Sequence, residues 1–126
     1  HDMRVVMPIS DRVAVLDFDD PAIPNTERDT AATAIAAAAL LKLSSIVPAE
    51  RARYRECAEA TVEALVSRYL TPTSPNDRRV PGILTESCFN KRSDARPLDA
   101  ASRCEFIVAD YYLFESLLAL TGKLDQ

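Results

Sequence analysis

The sequence predicts an all-α fold, and three stretches carry that expectation. "RDTAATAIAAAALLKL", residues 28–43, opens on Asp29, a good helix N-cap, and continues almost wholly in Ala, Ile and Leu. Residues 49–70 place Tyr54, Cys57, Ala58, Val62, Leu65 and Tyr69 at spacings of three and four, the period of a helix with one apolar face. "DYYLFESLLALT", residues 110–121, is again largely apolar and runs into Gly122, where a left-handed C-cap belongs, and Lys123, which suits the helix dipole.

Each element follows in order. Residues 1–28 carry no helical period. "RVAVLDFDD" alternates partly and "PAIPNTER" supplies prolines and turn formers, so this part reads as an extended arm with at most a short strand. The first helix spans 29–43. It is apolar or small nearly all round, whereas a surface helix shows a polar back, so it must be enclosed on every side. "SSIVPAE" is a hinge, with Pro48 suited to the first turn of the next helix. The second helix, 49–70, is amphipathic: Arg51, Arg55, Glu56, Glu59, Glu63 and Arg68 give it a wet face, and Thr71-Pro72 end it. Residues 71–100 form a long polar, proline-rich connection with an apolar island at Gly82-Ile83-Leu84 that suits a short strand. The last helix covers at least 110–121. "AASRCEFIVA" before it either extends that helix back to about residue 100 or forms a separate extended piece.

Composition narrows the function classes. The chain has 126 residues, 48% of them hydrophobic and 27% charged, which fits one globular domain. A net charge of −4 with both signs interspersed argues against a nucleic-acid surface. The basic knots at Arg51, Arg53, Arg55 and at Arg78, Arg79 read as solvated surface. The longest apolar run, 31–41, is about half of a membrane span. "HDMRVVMPIS" lacks the pattern of a signal peptide, which favours a cytoplasmic setting. The chain opens on His1 rather than methionine, which points to a start inside a longer protein. Cys57, Cys88 and Cys104 form no metal-binding spacing and read as reduced thiols. With its only histidine at the terminus, the chain offers no Ser-His-Asp or Cys-His device. Three helices cannot surround one that is apolar on all faces. The chain therefore either associates or forms one piece of a larger layered helical domain.

Four segments taken together resemble the C-terminal third of the unsaturated glucuronyl hydrolases, glycoside hydrolase family 88. They are "DFDDPAIPNTERDTAATAIAAAALLKLS", "ALVSRYL", "GILTESCFNKR" and "ADYYLFESLLALTGKL", in the family's order. The family shows a Trp-Asp-Phe-Asp segment, an Asp-Ser/Thr-Ser-Ala helix start and a Trp-Gly-Asp-Tyr-Tyr before a Leu-Glu-Ala-Leu helix. Here Leu16 replaces the first tryptophan, Ala31 the helix-start serine and Val108-Ala109 the Trp-Gly. Cys104-Glu105-Phe106 stands where relatives carry a serine-bearing stretch, and the chain has no tryptophan.

The resemblance implies a partial (α/α)6 barrel, six inner helices ringed by six outer ones. Residues 29–43 would be an inner helix, 49–70 its outer partner and 110–121 the last inner helix, closing the ring against elements preceding His1. It implies hydration of the C4–C5 double bond in unsaturated uronyl oligosaccharides left by polysaccharide lyases, without metal or cofactor. An aspartate protonates C4, water adds at C5, and the hemiketal collapses to release the sugar. The family's two key aspartates lie in the first half of the barrel and have no counterpart here, so this segment alone is expected to be inactive. Its partners would be the oligosaccharide and the remainder of the barrel, or a second copy; no nucleic acid or membrane is expected.

The candidate substrate-binding residues are Asp110, Tyr111, Asp29 and Arg92. Asp29 and Asp110 each open an expected inner helix, where they either cap backbone N–H groups or border the sugar site. Tyr111 and Tyr112 cannot both face inward at helical spacing, which leaves one free to meet a sugar hydroxyl. Arg92 and Lys91, on the long connection, could attract a uronate carboxylate. Asp17 and Asp19 share a side of an extended segment, as an acid pair or as a solvated turn. The competing class is a non-enzymatic helical binding or assembly module derived from the same fold.

Overall fold

The computed structural model describes residues 12–16, 19–76, 78, 82–91, 94, 96–97 and 100–124. Three helices organise them: α1 (Thr30–Ile46), α2 (Arg51–Arg68) and α3 (Ile107–Leu120). No ladder of strands forms among the described residues; extended segments meet only at isolated antiparallel bridges.

The arm doubles back on itself before α1. Val15 bridges Arg28, and the N–H of Asp29 donates to Ala14 O at 2.9 Å, which buries Val13 and Val15. α1 then starts as its sequence requires. Asp29 is extended, and its Oδ1 accepts from the N–H groups of Ala31 at 3.0 Å and Ala32 at 3.1 Å, satisfying two orphan donors of the first turn. Thr33 ties arm to helix. Its hydroxyl donates to Asp29 O at 2.7 Å and accepts from Ala14 N at 2.9 Å. The helix continues to Ile46, beyond the expected end at residue 43, because no glycine or proline intervenes; the Ser44 and Ser45 hydroxyls turn back onto Leu41 O and Lys42 O.

Pro48 opens a 3-10 turn, Pro48–Glu50, and the chain bends by 120° into α2. α2 buries Ala58, Thr61, Val62, Ala64 and Leu65, with Tyr54, Cys57 and Tyr69 half-buried. Its six expected wet positions are all exposed, as the charge pattern requires. No single described helix is long and apolar enough to cross a membrane.

The long connection is pinned by bridges between Leu70 and Leu84, Ser87 and Cys104, and Asn90 and Ala101. The apolar island thus makes one bridge instead of a strand. Residues 101–106 stay extended against 87–90, which settles the open start of the last helix at Ile107. α3 ends in a Schellman motif. Gly122 adopts φ 71°, its N–H donates to Ala119 O, and Lys123 N–H reaches Leu118 O at 2.8 Å.

α1 lies between α2 and α3. Ala31, Ala34 and Ala37 pack into one core with Val62, Leu65, Leu84, Ala109 and Leu113; small alanines let these backbones approach closely. Leu40 and Leu41 form a second cluster with Ala58. One stripe of α1 remains uncovered: Ala32, Ile35, Ala39 and Ile46 are exposed, with Ala36 and Leu43 half-buried beside them. Apart from Lys42 and Ser45 the exposed positions of α1 are apolar, unlike the polar back of a surface helix.

Candidate functional site

The connection between α2 and α3 folds over the N-terminal end of α1. Thr30, fully buried, is the anchor: its hydroxyl lies 2.6 Å from Thr85 O and 2.7 Å from Ser87 Oγ, also fully buried. Ser87 is paired with Cys104 through both backbone bonds, at 2.9 Å each. Glu86 and Arg103 flank this bridge with positive φ (56° and 54°), a conformation unusual for residues with a Cβ, and their side chains pair at 3.2 Å.

Two carboxylates hold the preceding turn. Asp110, 7% exposed, directs Oδ1 at the N–H groups of Ile83 (3.0 Å) and Leu84 (2.9 Å). Glu105 accepts from Gly82 N at 2.7 Å and from the Thr71 hydroxyl at 2.8 Å. Gly82 sits so close that a Cβ there would lie 2.7 Å from the Glu105 Cβ. α3 begins at Ile107, so Asp110 lies inside its first turn and binds a neighbouring segment instead of capping its own helix.

Beside the Asp29 cap, this covering segment leaves a cleft of about 570 Å³ whose walls include Asp20, Thr26, Asp29, Phe89, Asn90 and Lys91. A second, more open cavity of about 700 Å³ shares Asp20, Thr26 and Lys91. Phe89 is exposed and packs edge-on against Phe106, ring centroids 5.5 Å apart. Lys91 pairs with Glu27, and that bond holds the ammonium above its ordinary pKa. Hydrogen bonds from the Thr26 hydroxyl and the Ala22 N–H hold the Asp20 carboxyl below its ordinary range. Burial, then the Asp29 charge, pushes the Cys88 thiol up, which leaves it a poor nucleophile.

Of the described candidate substrate-binding residues, only Asp29 lines one of these two cavities. Asp29 lines the smaller cleft, its Oδ1 committed to the helix cap. Asp110 and Tyr111 line neither cavity. Tyr111 is 60% exposed on α3, while Tyr112 is half-buried against the core, as helical spacing demands. Arg92 and Asp17 lie outside the described residues. Glu105, Thr30 and Ser87 were not identifiable from sequence. Their partners lie 23 to 57 residues away, and no local spacing marks such pairs. No three His, Cys, Asp or Glu side chains gather as metal ligands among the described residues.

The three helices, with this covering segment over their ends, match part of an (α/α)6-barrel hydrolase. No family model matches the chain. Over 113 residues it is 33% identical to the unsaturated glucuronyl hydrolase of Bacillus sp. strain GL1, covering 87% of this chain and 28% of that protein. The crystal structure of unsaturated glucuronyl hydrolase from Bacillus sp. GL1, described as responsible for glycosaminoglycan degradation, superposes with a TM-score of 0.72 at 31% identity. The match covers 88% of this chain and 28% of that one. A structure of a UGL variant described with dGlcA-Glc-Rha-Glc gives a TM-score of 0.71, also at 31% identity, over 87% and 28%. The chain is therefore similar to unsaturated glucuronyl hydrolase, a glycoside hydrolase, and spans 28% of the length of the relative it matches.

Proposed function

We propose that these residues form one sector of a barrel glycoside hydrolase that acts on unsaturated uronyl oligosaccharides by hydrating the C4–C5 double bond. The sector itself is a scaffold. The supporting observation is where its carboxylates point. Asp110, Glu105 and Asp29 all accept hydrogen bonds from main-chain N–H groups, so each is engaged in holding backbone. A general acid for this hydration must be aimed at substrate carbon, whereas these oxygens face main-chain amides. Both catalytic acids then belong to the remainder of the barrel. The cleft beside Asp29 would contribute a wall of the sugar site, with Phe89 and Lys91 facing it. The apolar stripe of α1, and that of α3 where Ile107, Tyr111, Phe114 and Leu117 are exposed, would be covered by neighbouring inner helices.

The test follows the ultraviolet absorbance of an unsaturated uronyl disaccharide as its double bond is lost. The complete polypeptide carrying these residues should consume it; the 126-residue chain should not. Turnover by the short chain, abolished by Asp110→Asn, would place the acid on α3 and overturn the scaffold reading. A folded complete protein without turnover on any uronyl substrate would favour the non-enzymatic module, which the absence of tryptophan also suits.

A further inference from the structure

Where the covering segment meets α1, its hydrogen bonds have a direction. The first amide of the helix, Thr30 N–H, donates to Glu86 O at 3.2 Å. A main-chain carbonyl only accepts, so the single Thr30 hydroxyl proton goes to Thr85 O, and the Ser87 hydroxyl must donate to Thr30 Oγ1. Three consecutive residues, Thr85, Glu86 and Ser87, are thus fastened to one residue at the start of α1. Both side chains are fully buried, so water cannot replace a lost partner.

The residues next to this contact form the smaller cleft. Asp29, one position before Thr30, lines it on the helix side; Cys88, Phe89, Asn90 and Lys91, directly after Ser87, line it on the other. The N–H groups of Phe89 and Asn90 reach Ala101 O at 2.9 and 3.0 Å, which ties that second wall to the approach to α3. The Lys91–Glu27 pair ties it to the arm, but the lysine side chain is 56% exposed and such a pair contributes little. The buried contact with α1 is Thr30. We propose that Thr30 is a positioning residue: its hydroxyl, linking Ser87 to Thr85 O, sets the gap between Asp29 and the wall 88–91, and so how tightly the cleft holds a saccharide. Thr30 acts through the wall and does not line the cleft itself. The saccharide rests on the proposed function; the control of the wall does not.

Variants of the complete polypeptide test this. Thr30→Val keeps the shape of the side chain but strands the Thr85 carbonyl and the Ser87 hydroxyl; Thr30→Ser keeps the link. Alkylation of each cysteine by iodoacetamide, measured peptide by peptide in a mass spectrometer, reports on the wall without turnover. Cys88 is half-buried in the wall, whereas Cys57 is half-buried on α2 against the second core cluster. Thr30→Val should raise the Cys88 rate relative to that of Cys57 by about threefold or more, and Thr30→Ser should keep the parent ratio. An unchanged ratio, including a rise of both rates together as general loosening gives, would overturn the proposal. So would a Thr30→Ser variant as fast as Thr30→Val. On an unsaturated uronyl disaccharide, Thr30→Val should raise KM roughly tenfold with kcat near its parent value, the mark of lost binding. A fall in kcat at unchanged KM would overturn the role at the cleft. A complete protein that shows the Cys88 change but turns over no uronyl substrate would sink the proposed activity and leave the positioning role standing.

Discussion

Asp110 accepts two main-chain amides on a single oxygen, that of Leu84 buried and that of Ile83 partly so, and that geometry separates a structural carboxylate from a reacting one. Asparagine keeps a carbonyl oxygen where Oδ1 stands, so Asp110→Asn should cost roughly 1 kcal/mol, the difference between charged and neutral acceptors. Asp110→Ala strands both amides of a turn that includes the fully buried Leu84, and should cost about 2–4 kcal/mol. Urea unfolding of the two variants in the complete protein checks the order. Similar losses for both would mean that charge, and not the acceptor, is what the site uses. The residue could be singled out in the sequence because it opens an expected inner helix, where an aspartate either caps the backbone or borders the sugar site. Its partners could not, because Ile83 and Leu84 are 27 and 26 residues away.

At the level of the element, α1 carries its own test. Ala37 is fully buried and Ala39 is exposed two positions on. Ala37→Leu forces new methylene groups into a closed interface and should destabilise by about 1–3 kcal/mol; Ala39→Leu in the 126-residue chain should be near neutral. Thermal melts of the two variants measure the difference, and equal shifts would remove the enclosed face. The pattern of alanines showed that a helix forms and called for enclosure, which this chain provides on part of its surface only. Which alanines the chain encloses, and which it leaves exposed, depends on where α2 and α3 cross it. The cap at Asp29 was equally readable, since an N-cap works within three residues. The end of α1 was less so, because serine hydroxyls can close a last turn as well as open a loop.

For the molecule as a whole, the consequence is an apolar surface on one side. Ile35 and Ile46 on α1 and Ile107, Tyr111, Phe114 and Leu117 on α3 are all exposed, far more large apolar side chains than scattered surface positions account for. The 126-residue chain should therefore bind a hydrophobic dye strongly or self-associate on sizing, and the complete protein should do neither. Weak dye binding by a monodisperse short chain would show that this face tolerates water. The resemblance in four segments indicated the barrel. The covering segment over the end of α1 was read only as a long polar connection, since its bridges pair residues with no periodic signal.

What the sequence determined by itself is everything set within a few residues: helix type, the Asp29 cap, the wet face of α2 and the glycine stop after α3. Propensity, spacing and capping act over one or two turns, so they can be read directly along the chain. Tertiary structure alone decided how the distant polar groups are used. It committed Asp110 and Glu105 to holding a turn, buried Thr30 against Ser87, and left Glu115 Oε2 buried with no donor among the described residues. Those outcomes depend on which segments pack together, because a polar group removed from water must take whatever partner the fold brings to it.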